Sequence, residues 1–107
     1  HVAIASISLE DMLSASLSPD NATGGIANML KSVVGWDIAI SMVEVDTNKI
    51  NVSFRTRNAN KYDVSKIALA TGFGGGHRAA SGATIPLSLH GAKKLVLDTI
   101  KKLYPNL

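Results

Sequence analysis

The apolar and polar positions along the chain fall into runs of two different periods. Val2-Ala3-Ile4-Ala5-Ser6-Ile7 is apolar and rich in β-branched residues, which predicts a strand buried on both faces. Ser8 is placed to cap a short helical turn over residues 9–13, and Ser18-Pro19-Asp20-Asn21 has turn chemistry. Ile26, Met29, Leu30, Val33 and Val34 recur at the helical interval, so residues 22–34 read as an amphipathic helix that Gly35 is placed to end. Residues 36–45 read as a second strand, followed by the hairpin turn Asp46-Thr47-Asn48-Lys49. The next strand alternates: Ile50, Val52, Phe54 and Thr56 point one way, and Asn51, Ser53, Arg55 and Arg57 the other.

After a polar loop at residues 58–61, Asp63 is placed to cap a short helix carrying Val64, Ile67 and Ala68. A glycine-rich segment follows, and then Ala83-Thr84-Ile85, a short strand stopped by Pro86. Ser88 caps a last helix with Leu89, Ala92, Val96, Ile100 and Leu103 on one stripe, Lys101 and Lys102 near its C-terminal end and Pro105 just beyond. The order is that of a single α+β domain with a mixed or antiparallel sheet and helices packed mainly on one face. The hairpin argues against a fully parallel, doubly wound sheet.

Composition narrows the function classes. At 107 residues the chain is one domain's length, and 46% hydrophobic residues suffice for a core. Aromatics are few, so that core must be aliphatic. The net charge of +3 favours anionic ligands without requiring nucleic acid. There is no cysteine, which excludes disulfides, thiolate metal sites and cysteine nucleophiles and fits a cytoplasmic protein. No apolar run approaches the ~20 residues of a membrane span. The chain begins at His1 rather than Met, so it reads as an excised piece of a longer chain, and His1 is set aside from every site.

Three consecutive glycines in Gly72-Phe73-Gly74-Gly75-Gly76-His77-Arg78 call for a reason, because they are costly in conformational entropy. Without Cβ atoms, backbone N–H groups can converge on an anion. A helical turn starting after Gly76 would add its dipole. His77 and Arg78 would supply a hydrogen bond and a charge. The competing reading is a plain turn between helix and strand. Gly74-x-Gly76-x-x-Ala79 formally matches a dinucleotide fingerprint, but a helix precedes it and a strand follows, the reverse of that motif's context.

Ser53, Arg55 and Arg57, two apart on a strand, share one face and could bind phosphate or stack on a base. The bland reading is a solvated strand face. Lys61, Lys66 and Arg78 would join this platform if the sheet face and glycine segment meet. Lys93, Lys94, Lys101 and Lys102 read as a solvated helix face. Catalytic machinery is lacking: His77 and His90 have no carboxylate at a metal-ligand interval, and the acidic residues are scattered. No residue is assigned a catalytic or metal-binding role.

Gly74-Gly75-Gly76-His77-x-x-Ala80-x-Gly82 resembles the GGGHxxAxG motif of the DHH-associated domain. That is the C-terminal domain of DHH-family phosphoesterases, among them nanoRNases, phosphoadenosine-phosphate phosphatases, cyclic-dinucleotide phosphodiesterases and RecJ-like exonucleases. Val52-Ser53-Phe54-Arg55-Thr56 resembles the family's V-S-x-R-S strand, Asp63-Val64-Ser65-Lys66-Ile67-Ala68 its D-V-S-x-I-A helix, and Ser81-Gly82-Ala83-Thr84-Ile85 the strand after the motif. Many members carry a fourth glycine where this chain has Phe73.

The resemblance implies that residues 1–107 are a substrate-binding domain whose catalytic partner, an N-terminal DHH domain holding Mn²⁺, lies elsewhere in the parent chain. By position, Gly74, Gly75, Gly76 and His77 would contact the substrate phosphate near the scissile bond. Arg55 would hold a phosphate or nucleotide further along, while Ser53, Arg57 and Arg78 are candidates by proximity. The implied ligand is a short single-stranded oligonucleotide, a nucleoside bisphosphate or a cyclic dinucleotide. A freestanding nucleic-acid-binding module and a structural domain whose glycines only turn the chain are the alternatives.

Overall fold

The computed structural model describes residues 2–14 and 37–106. The turn expected at 18–21, the helix expected over 22–34 and Trp36 lie outside the described residues. β2 (Ile38–Asp46) and β3 (Lys49–Thr56) form the antiparallel hairpin that the sequence predicts. Asn48 takes the left-handed turn position at φ 53°, which a short polar side chain tolerates. β1 (Val2–Ile7) runs parallel to β2. Burial of β1 on both faces is not what the structure has. Among the described residues β1 stands at the sheet edge, Ser6 is exposed and its other residues are half-buried.

β5 (Ala80–Ile85) pairs antiparallel with β3, and β4 (Gly74–Gly76) lies outside β5, giving the order β1-β2-β3-β5-β4. Two expectations are corrected. The strand read as Ala83 to Ile85 starts at Ala80, and the glycine segment is itself an edge strand rather than a loop. The element after Gly76 is β5 and not a helical turn, so no helix dipole acts there.

Two helices cover one sheet face. α2 (Val64–Ala70) starts at Asp63, whose carboxylate accepts from the Ser65 N–H at 3.0 Å. α3 (Leu89–Leu103) starts at Ser88, whose hydroxyl accepts from the Gly91 N–H at 3.1 Å. Ile67, Ala68, Ala92, Val96 and Ile100 pack against Ile38, Ile40, Met42, Ile50, Val52, Phe54 and Ile85 in one core. Phe54 is its fully buried aromatic, so the core is aliphatic as composition required. Burying each of its Ile, Val, Met and Phe side chains contributes about 1.5–3 kcal/mol. Leu103, last on the predicted stripe, is 38% exposed. α1 (Leu9–Ser14) follows β1, with Leu9 packed beside Ile7, Val43 and Val45, and the Ser8 hydroxyl accepts from the Asp11 N–H. The domain is α+β with a mixed sheet.

Polar contacts lock the β4–β5 turn to the start of α2. The Val64 N–H donates to the Arg78 carbonyl at 3.0 Å, and the buried Ser81 hydroxyl donates to the Val64 carbonyl at 2.7 Å. From α3, the Tyr104 hydroxyl accepts from the Asp63 N–H at 3.0 Å, with its ring edge-on to Tyr62 at 5.3 Å. The glycine strand is thus held by elements on both sides of it in the sequence.

Candidate phosphate-binding site

Strand alternation leaves one face of β3 and β5 clear of α2 and α3, and the registers divide that face into three rows. Arg55 is opposite Ala80, which exchanges hydrogen bonds with His77 (His77 N–H to Ala80 O 2.9 Å, Ala80 N–H to His77 O 3.2 Å). Ser53 is opposite Gly82, which is opposite Gly75. Asn51 is opposite Thr84, whose N–H reaches the Phe73 carbonyl at 3.2 Å. Rows along a strand are ~6.6 Å apart and neighbouring strands ~4.8 Å apart.

An open concavity of about 630 Å³ lies over this region. Ser53, Arg55, Gly75 and Gly76 line it, with Ala80 and Gly82 forming its floor. Among the described residues no carboxylate is in the lining, and Arg55 is the charged residue there. One Arg55 N–H donates to the Phe54 carbonyl at 2.9 Å; its remaining donors have no recorded partner among the described residues.

The ladder also determines what β4 presents at its open edge. Hydrogen-bonded pairs alternate with unbonded ones in an antiparallel ladder. The bonded pairs at Phe73–Thr84 and His77–Ala80 make Gly75–Gly82 bonded as well. Gly74 and Gly76 therefore turn their N–H groups outward, away from β5, and neither N–H has a recorded partner among the described residues. A Cβ on Gly74 would lie 2.0 Å from the Gly82 carbonyl oxygen, and Gly76 holds φ +146° with a Cβ position 2.8 Å from the Ser81 Cα. Only glycine fits at these two positions.

The family model of the DHHA1 domain matches residues 7–104. The chain belongs to the DHHA1 domain family. Its DHHA1 fold is shared with an exopolyphosphatase-related protein from Bacteroides fragilis (TM-score 0.82, 25% identity), covering 97% of this chain and 29% of that one. The C-Ala domain of alanyl-tRNA synthetase from Aquifex aeolicus matches at TM-score 0.65 and 15% identity, over 92% of this chain and 88% of that one. A pGpG-specific phosphodiesterase from Vibrio cholerae matches at TM-score 0.50 and 20% identity, over 66% of this chain and 25% of that one. These last two likenesses are of fold. The chain thus spans about 29% of the length of the exopolyphosphatase-related protein. No curated protein sequence matches it closely.

Within the DHHA1 frame, the predicted site residues separate. Ser53, Arg55, Gly75 and Gly76 come together in the concavity, and Gly74 lies in the same edge strand. His77 stands on Arg55's row but at the rim, exposed and outside the lining. Arg78 is elsewhere. Its guanidinium lies 3.5 Å from the Asp63 carboxylate and donates to the Ala59 carbonyl and the Asn60 side chain, both at 3.1 Å. Asp63 is held below the usual carboxylate range by the Ser65 hydroxyl, then by the Ser65 and Lys66 N–H groups and the Arg78 charge. Arg57 lies exposed one residue past β3, with its N–H on the Asp37 carbonyl at 3.1 Å.

Lys61, over the Tyr62 ring at 5.3 Å, and Lys66 do not line the concavity either. Sequence reasoning gave no site role to Asn51, Phe73 or Thr84, which the structure puts at the other end of the lining. The alternation of β3 carried the signal for Asn51; the register that brings Thr84 and Phe73 beside it is tertiary. Among the described residues no three His, Cys, Asp or Glu side chains are grouped to hold a metal ion, and no helix is long and apolar enough to cross a membrane.

Proposed function

We propose that this DHHA1 domain grips the phosphates of a short oligonucleotide, a nucleoside bisphosphate or a cyclic dinucleotide for hydrolysis by a DHH domain elsewhere in the parent chain. The observation that carries this reading is the row of Arg55, Ala80 and His77 beside the outward N–H groups of Gly74 and Gly76, with no carboxylate among the described residues of the lining. Successive phosphates of such a ligand would meet the Arg55 guanidinium in the concavity and, across β5, the imidazole of His77 and the outward amides of the glycine strand. These are the donor types that hold phosphate oxygens in fixed orientation. Ser53 adds a hydroxyl one row along. Arg78 serves the site indirectly, by holding the turn that carries the glycine strand. Among the described residues no three His, Cys, Asp or Glu side chains are grouped to hold a metal ion, so this reading assigns Mn²⁺ and the hydrolytic step to the DHH domain and routes no step through this one.

The test is a calorimetric titration of a 5′-phosphorylated trinucleotide into the chain, with Mn²⁺ present, for wild type, Arg55→Ala and His77→Ala. Arg55→Ala is expected to weaken binding about tenfold or more, the loss of a charge-assisted hydrogen bond being about 1.5–3 kcal/mol. His77→Ala weakens it less, and the trinucleotide stays intact throughout. A site for one or two phosphates gives a slope of log K against log salt of about −0.7 to −1.4. A much steeper slope would favour a freestanding nucleic-acid module. Unchanged binding in both variants would overturn the phosphate site, and turnover by this chain alone would overturn the division of labour.

A further inference from the structure

The end of the concavity away from Arg55 has different chemistry. Phe73 is 43% exposed, a large ring in a lining that is otherwise mostly small or polar. Its backbone is pinned from both sides: its N–H donates to the Thr71 hydroxyl at 3.3 Å and its carbonyl accepts from the Thr84 N–H at 3.2 Å. Thr71 is anchored in turn, its hydroxyl donating to the Ala68 carbonyl at 2.6 Å. The ring is therefore presented from a fixed backbone. On the same row stand Asn51 and Thr84, the Thr84 hydroxyl donating to the Asn51 Oδ1 at 3.4 Å. An asparagine amide offers both donors and an acceptor, which suits the edge of a base. Asn51 and Arg55 are four positions apart on β3, ~13 Å along the strand. The row between them, Ser53, Gly82 and Gly75, has no side chain larger than a hydroxymethyl group.

A cation at one end, a lane of small residues and a ring with an amide at the other end is the layout for a phosphate, a sugar and a base laid along the strands. An inorganic polyphosphate carries charge at every unit, yet among the described residues the lining offers one charged side chain. We propose that Phe73, with Asn51 and Thr84, forms a nucleobase subsite, so that the domain selects nucleotides over inorganic polyphosphate. This rests on the phosphate-binding reading of the Arg55 end.

The probes are the dinucleotide pApA and inorganic tripolyphosphate, each titrated by calorimetry into wild type, Phe73→Gly, Phe73→Leu, Phe73→Trp and Arg55→Ala, with folding checked by thermal melting. Wild type is expected to bind pApA at least tenfold more tightly than tripolyphosphate. Phe73→Leu keeps an apolar side chain without a ring face, so it should lose about five- to tenfold for pApA and nothing for tripolyphosphate. Phe73→Trp should retain pApA affinity, and Arg55→Ala should weaken both ligands. Equal wild-type affinity for the two probes, or pApA binding that is indifferent to Phe73→Gly and Phe73→Leu, would overturn the base subsite while leaving the phosphate site standing. If wild type bound neither probe, the phosphate site itself would fall, and the base subsite with it.

Discussion

Gly74, Gly75 and Gly76 are adjacent in sequence but meet different surroundings. A methyl group on Gly74 would run into the β5 backbone, and one on Gly76 would meet Ser81 from a positive φ. On Gly75 it would lie 3.5 Å from the Leu69 side chain, an ordinary contact. Gly74→Ala and Gly76→Ala are therefore expected to destabilise the domain by about 1–3 kcal/mol each. Gly75→Ala should change stability by less than about 1 kcal/mol. Urea denaturation of the three variants checks this through their midpoints, given unchanged m-values. Equal losses at all three positions would mean that β4 is not paired in this register. The sequence marked the triplet as unusual but could not rank its members, because their roles depend on the neighbouring strand. Arg78 shows the same limit: its charge read as a ligand contact, and its partner Asp63 is fifteen positions earlier in the chain.

Among the elements, the junction of α2 with the β4–β5 turn sets where the glycine strand lies. Asp63 is central to it, capping α2, accepting from Ser65 and facing Arg78. Its lowered folded-state pKa means that the native state favours the carboxylate. The associated stability is fully present above the unfolded value of about 3.9 and is lost as pH falls through the lower folded value. Urea midpoints measured from pH 2 to pH 7 for wild type and Asp63→Asn should differ most above about pH 4 and converge in acid. A constant difference down to pH 2 would show that Asp63 acts by packing alone. The cap itself was legible, since aspartate before a short apolar helix is a local signal, and so were Ser88 and the stripe of α3. β4 was not legible. Three glycines have no alternation and little strand preference, and they are extended here because β5 supplies the pairing.

At the level of the whole molecule, the hairpin of β2 and β3 and the helix periods were enough to specify an α+β domain with a mixed sheet. The strand order was not available, because β5 enters between β3 and β4 by a long-range pairing that leaves no local trace. That pairing builds the proposed site: it carries Ala80 and Gly82 across from Arg55 and Ser53, and brings His77 onto Arg55's row. The mild positive charge of the chain is divided in consequence. Lys94, Lys101 and Lys102 are exposed on α3, which packs against the opposite sheet face, whereas the concavity depends on Arg55.

The most direct measurement is an amide chemical-shift titration of the ¹⁵N-labelled chain with the 5′-phosphorylated trinucleotide. The largest shifts are expected at the Gly74 and Gly76 amides, with further shifts at Ser53 and Arg55, and little change along α3. Shifts concentrated on the lysines of α3, with the Gly74 and Gly76 amides unmoved, would contradict phosphate binding at the glycine edge strand.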